Sequence, residues 1–288
     1  MSSLRHQSAP AIALAVAAHP DDIEYMAGAT LAAWIAAGTS VHYLLVTDGA
    51  GGSRDPLQTP EALASQRREE QREAAGILGV SSATFLGYRD AEVEPSRELK
   101  LAIARVIRQV RPEVVLTFDP HLHYHNAGIN HTDHLAVGAS TLAAVMPLAN
   151  TRLAAPELIG EGLELHDVAA VYLFEAAQPT HWMPVTSEEV ARKIAALRAH
   201  VSQMTLWDGG ASAHARAQAA ARIARTHGIA CDLAEAFACI QLAPASLTTS
   251  SSRSSRRRIV RPDWVNLGQL ARPFQFVLSG FETPQKSR

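Results

Sequence analysis

The chain has 288 residues, 47% hydrophobic and 19% charged, enough for one large domain or two small ones around an ordinary core. With 26 Lys and Arg against 28 Asp and Glu, the formal charge is −2, which gives no electrostatic basis for binding nucleic acid or a polybasic membrane contact. Two cysteines, Cys231 and Cys239, exclude a disulfide-stapled scaffold, and no apolar stretch reaches the roughly 18 residues of a membrane span.

In chain order, AIALAVAA (11–18) reads as a buried strand. It ends in His-Pro-Asp-Asp, unlike the end of a signal-peptide apolar region, so a soluble, cytoplasmic protein is expected. A helix is expected over 22–37, a strand over 41–47 (VHYLLVT) and a Gly-rich loop over 48–55. As a nucleotide fingerprint that loop is poor, because the next helix starts too far downstream. It either lets a ligand approach the backbone or is a turn. The charged segment 60–78 reads as a helix capped by Gly79. Then come a strand over 83–87, a helix over 98–109 and a strand over 113–118 (EVVLTF). Strands that are apolar throughout and alternate with helices predict an α/β, Rossmann-like fold. Its sheet is mostly parallel, with helices on both faces. Ligands in such sheets sit beyond the carboxyl ends of the strands.

The second half is less regular. VAAVYLFEA (168–176) reads as a strand, 186–201 and 211–227 as helices, and 235–240 as a short element. Residues 241–258 are Ser/Arg-rich and read as a loop, in which Arg256, Arg257 and Arg258 form a solvated run. The apolar residues beyond predict that the tail packs back on the body. No internal repeat is present, and the expected division is a domain over 1–240 with an extension over 241–288.

Histidine is the unusual residue: of 13, five fall between His121 and His134. The first strand ends in Ala18-His19-Pro20-Asp21-Asp22-Ile23-Glu24. Clustered carboxylates there need hydrogen bonds, a helix N-terminus or a cation. One reading makes Asp21 or Asp22 a helix cap. The other uses the second cluster, His131-Thr132-Asp133-His134, which follows the strand 113–118. Two strand ends of this kind can converge on one ion. His19, Asp22 and His134 would then form a two-His, one-carboxylate set with open positions, the pattern of a catalytic zinc site. His121, His123 and His125 alternate in a loop, either as a second metal site or as solvent-exposed residues at the cleft mouth. His200 reads as a packed, hydrogen-bonded structural residue.

AHPDDIEYMAGAT resembles the zinc-binding signature of the PIG-L/LmbE-like de-N-acetylases, AHPDDxE with a later HPDH, here HTDH. Thr132 replaces a residue that is neither ligand nor base. Further matching elements are Arg67 with Glu70 and Ala74–Val80, Leu86-Gly87-Tyr88-Arg89-Asp90, and Lys193, Ala196, His200, Ser202 and Gln203. The resemblance spans about 11–240. It implies His19, Asp22 and His134 as metal ligands, Asp21 as general base, and His131 as electrophilic or acid partner oriented by Asp133. It also implies Arg67 and Asp90 as substrate contacts, although Arg67 reads equally as an intrahelical partner of Glu70. The implied cofactor is Zn2+, with Fe2+ or Co2+ accepted by the same donors. The implied reaction is hydrolysis of an N-acetyl group from an N-acetylglucosamine-like sugar or conjugate. Zinc can lower the pKa of water to about 7 and polarise the acyl oxygen. A larger sugar-thiol conjugate, or sugar binding without catalysis, are the alternatives. The expected partner is a small amino sugar, with no nucleic acid and no membrane, and a homo-oligomer is allowed.

Overall fold

The computed structural model describes residues 9–122, 124–125, 128–204 and 208–242. The Ser/Arg-rich loop expected over 241–258 does not begin at 241, because Gln241 is the last residue of a sheet strand paired with Ala170; from 243 onward the loop, its arginine run and the apolar tail lie outside the described residues.

Strand β1 (Ile12–Ala17) is apolar throughout and buried from Ala13 onward, as the centre of a two-sided sheet requires. Helix α1 (Asp22–Ala36) follows, then β2 (Ser40–Thr47). Helix α2 (Pro60–Leu78) is framed by local chemistry. The Thr59 side chain accepts from Ala62 N, Pro60 starts the helix, and Gly79, at φ 86°, ends it. Strand β3 (Ser82–Tyr88), helix α3 (Arg97–Val110) and strand β4 (Val114–Phe118) continue the alternation. A short hairpin, β5 (Tyr124–His125) and β6 (Gly128–Ile129), stands before α4 (Thr132–Ala143), which runs into a kinked segment (Ala144–Ala149). Beyond α5 (Pro156–Gly160) lie β7 (Ala170–Phe174) and β8 (His181–Val185). Helices α6 (Ser187–Arg198), α7 (Val201–Met204) and α8 (Gly209–Thr226) lead to β9 (Leu233–Gln241), the last strand among the described residues.

The seven-stranded sheet has the order β3-β2-β1-β4-β7-β9-β8. Strands β3, β2, β1, β4 and β7 are parallel, whereas β9 is antiparallel to β7, and β8 to β9. The fold is therefore α/β with a mostly parallel sheet, as expected. The helices form two packed groups, α1, α2, α6 and α8 in one and α3, α4 and the kinked segment in the other. From β1 the chain moves outward to β2 and β3, then returns to place β4 on the other side of β1. The carboxyl ends of β1 and β4 thus flank a topological switch point, where open α/β sheets bind ligands.

Helix α1 is buried on nearly all sides, so it lacks an amphipathic stripe. Gly28 lets α1 and α6 approach closely: a Cβ there would come 3.0 Å from Lys193 Cγ. Lys193 Nζ lies 2.6 Å from Glu235 Oε1, and this buried carboxylate also accepts Ala29 N and Thr30 N. An ion pair from α6 and β9 therefore clamps the middle of α1. Among the described residues, no helix is long and apolar enough to cross a membrane.

Candidate active site

The carboxyl ends of four parallel strands supply the cleft: His19 to Asp22 after β1, Asp90 after β3, His131 to His134 after β4, and Glu175 after β7. The peptide geometry at the first of these is unusual. Asp21 sits at the start of α1 with φ 87°, and its carboxylate makes no capping hydrogen bond. Asp22 Oδ2 instead accepts from His19 N at 2.7 Å. The helix-cap reading of these carboxylates is therefore not what the chain adopts. A left-handed aspartate costs on the order of 1–3 kcal/mol and persists only where its surroundings hold it.

His19, Asp22 and His134 bring one donor atom each within 4.8 Å of one another. Asp22 bridges the pair, with Oδ2 3.4 Å from His19 Nδ1 and Oδ1 3.3 Å from His134 Nε2. The far nitrogen of each ring meets a carboxylate. His19 Nε2 lies 3.0 Å from Asp90 Oδ1 and 3.3 Å from Asp133 Oδ2, and His134 Nδ1 lies 3.1 Å from Glu175 Oε2. The His134 ring also stacks on Phe118, with centroids 3.8 Å apart. Two imidazoles, each backed by a carboxylate, plus one direct carboxylate fit a divalent metal in both ligand type and outer support. Against the upward pull of burial, His134 and His19 hold Asp22 well below the usual carboxylate range.

Asp21 points elsewhere. Arg67, buried on α2, gives Nη2 to Asp21 Oδ2 at 3.1 Å and to Pro20 O at 2.6 Å, and Nη1 to Gly49 O at 3.0 Å. The expected alternative, a pair with Glu70 on a solvated face, does not form; Glu70 accepts from Gln66 and Ser202. Burial, with the charge of Asp22 adding, raises the Asp21 carboxyl above its ordinary range, while Arg67 restrains the rise. The Gly-rich loop packs on this arginine. A Cβ on Gly49, at φ 67°, would come 2.2 Å from Arg67 Nη1.

His131 is the N-cap of α4, and its Nδ1 accepts from Asp133 N at 3.2 Å. A neutral ring then carries its hydrogen on Nε2. Burial and the nearby His19 lower its pKa. The Asp133 carboxylate differs from the sequence expectation. It lies 4.0 Å from His131 Nδ1, whereas it hydrogen-bonds His19 and the backbone of Ala91 and Val93. Asp90, besides His19, accepts from Gly51 N at 2.9 Å. His19, Asp21, Arg67, Asp90 and His131 all line one cavity of about 270 Å³. A second, of about 320 Å³, shares Gly51 and Asp90 with it and extends past Tyr88.

His121 hydrogen-bonds Asp119 at 2.6 Å and belongs to no candidate metal group among the described residues. His123 and the His125 side chain lie outside the described residues. His200 is fully buried as expected, but its ring nitrogens make no hydrogen bond: Nε2 lies 3.7 Å from Glu24 Oε2, too far for one. Sequence reasoning missed Glu175 and Gln71. A carboxylate one residue past an all-apolar strand was the available signal for Glu175, whereas nothing local marked Gln71.

The profile of the PIG-L family, GlcNAc-PI de-N-acetylase, matches residues 14–145. The chain is 34% identical over 190 residues to the diacetylchitobiose deacetylase of Thermococcus kodakarensis, covering 66% of this chain and 69% of that one. It is 32% identical over 266 residues to the 1D-myo-inositol 2-acetamido-2-deoxy-alpha-D-glucopyranoside deacetylase of Kineococcus radiotolerans, covering 72% of each. The solved structure of N,N'-diacetylchitobiose deacetylase from Pyrococcus horikoshii superposes with a TM-score of 0.73 at 25% identity, over 81% of this chain and 84% of that one.

Proposed function

This chain belongs to the PIG-L family of de-N-acetylases, and from that premise we propose that it is a metal-dependent amide hydrolase acting on an N-acetylglucosamine-like sugar or its conjugate. The observation that carries the reading is the convergence of His19, Asp22 and His134, with Asp21 held apart from them by Arg67. His19, Asp22 and His134 are the ligands in this proposal, and the donor set suits Zn2+, with Fe2+ or Co2+ acceptable. A metal held there supplies a Lewis acid that polarises the acyl oxygen and acidifies water.

The remaining work falls to the chain's own residues. Asp21 accepts the water's proton as the C–O bond forms, then returns it to the amide nitrogen as the C–N bond breaks. Arg67 keeps the Asp21 carboxylate aimed and charged until that transfer. His131 donates its Nε2 hydrogen to the acyl oxygen as negative charge develops, a contribution worth about 10²–10³ in rate for donors of this type. This role uses the neutral tautomer that the Asp133 N–H selects, so it needs no imidazolium. Asp133 and Asp90 support His19 from behind, and Asp90 also borders the space for sugar hydroxyls. The catalytic domain runs past the expected boundary at 240, since Gln241 pairs with Ala170 in the sheet and Leu242 N donates to Ala169 O.

The adjoining cavity favours a substrate larger than one sugar ring. The names of both curated relatives likewise describe an acetamido sugar joined to a second ring. The test is free-amine release by metal-loaded protein across N-acetyl sugars of one and two rings, including a thiol-sugar conjugate. Release from at least one, fastest with two rings, is expected. Sugar binding with no release from any would replace this reading with a non-catalytic one.

A further inference from the structure

Arg67 holds the Asp21 side chain, but something must also hold its left-handed backbone. Asp21 N–H donates to Gln71 Oε1 at 3.1 Å. Gln71 projects from α2 and is fully buried, and its Nε2 donates to Glu24 Oε1 at 2.8 Å. Glu24 is fully buried on α1, and its other oxygen faces His200 Nε2 at 3.7 Å.

An amide can turn end for end, exchanging oxygen and nitrogen. Here it cannot. Turning it would face its oxygen to the Glu24 carboxylate and its NH2 to the Asp21 N–H, placing acceptor against acceptor and donor against donor. A buried mispairing of this kind costs about 1–3 kcal/mol for each group left unsatisfied. Glu24 therefore selects the Gln71 orientation that grips Asp21 N. The ligand Asp22 has separate anchors in His19 and His134.

We propose that Gln71, oriented by Glu24, is a positioning residue that locks the left-handed backbone of Asp21 and so aims its carboxylate. The consequence for turnover rests on Asp21 being the general base; the backbone claim does not. The test is a crystal structure of zinc-loaded Gln71→Met, nearly isosteric but unable to accept the N–H, with kcat, KM and zinc content measured beside it. Asp21 should relax to negative φ and leave Arg67. Turnover number should fall by about 10- to 100-fold, the scale of misplacing a reacting group, with KM and zinc content unchanged. Glu24→Gln preserves volume and hydrogen-bonding capacity and guards against a folding failure. It should cause a smaller loss, and the double variant should be no worse than Gln71→Met alone. An unmoved Asp21 in Gln71→Met would overturn the positioning role, whatever happens to the rate. A relaxed Asp21 with full turnover would keep that role and remove Asp21 as base.

Discussion

What distinguishes His19 and His134, the two histidines proposed as ligands, is the carboxylate behind each ring. His134 offers Nε2 toward Asp22 only because Glu175 takes Nδ1. A carboxylate in that place fixes the tautomer and makes the ring a better donor. Glu175→Gln is therefore expected to weaken metal affinity by about 10–100-fold without unfolding the chain. Competition with a chromophoric chelator measures this, and unchanged affinity would remove Glu175 from ligand support. His19, Asp22 and His134 could be read from the sequence because rare residue types clustered at two strand ends. Glu175 was marked only by its place one residue past an apolar strand, a weak signal because many surface glutamates share it. Arg67 was legible only as a choice between partners. Helical spacing pointed to Glu70, but burial brought Asp21, Pro20 and Gly49 to it instead.

Single elements place these residues, and α1 is the most constrained. Its N-terminus carries Asp21 and Asp22, and its middle is clamped by Glu235 from β9 and Lys193 from α6. Burial lowers the Lys193 pKa while Glu235 opposes the fall, so the lysine depends on this partner for its charge. Glu235→Ala would strand a buried ammonium and two backbone N–H groups. It is expected to cost about 3–5 kcal/mol, seen as a lower urea midpoint at constant slope. A change below about 1 kcal/mol would show that the clamp is dispensable. The first half of the chain was legible as elements because its apolar strands and capped helices agree. Thr59, Pro60 and Gly79 bounded α2 as they stand in sequence. Strand β8 was missed because Pro184 argues against a strand interior; it is tolerated there because β8 is the sheet edge.

The proposed ligands come from two separate crossover units, one after β1 and one after β4. They meet only in the folded state, so metal binding by this set would be coupled to stability. A metal at a thousandfold excess over its Kd adds about 4 kcal/mol. At about 2–4 °C per kcal/mol, Tm should fall by several degrees on chelation and recover on adding zinc. Equal Tm values with and without metal would argue against a site shared between these units. The parallel sheet followed from the strand pattern, whereas its strand order, with the switch point between β1 and β4, and the antiparallel β9–β8 edge depend on long-range pairing that no local signal marks. On this reading Asp21 moves the proton, at a site whose metal is held by other residues. Zinc titration of metal-stripped wild type and Asp21→Asn, reading zinc content and acetate release together, tests it most directly. Both proteins should bind about one zinc, and the wild type should gain turnover in step, while Asp21→Asn should remain about 10²–10⁴-fold slower. Full turnover by zinc-loaded Asp21→Asn, or by wild type held in chelator, would contradict the account.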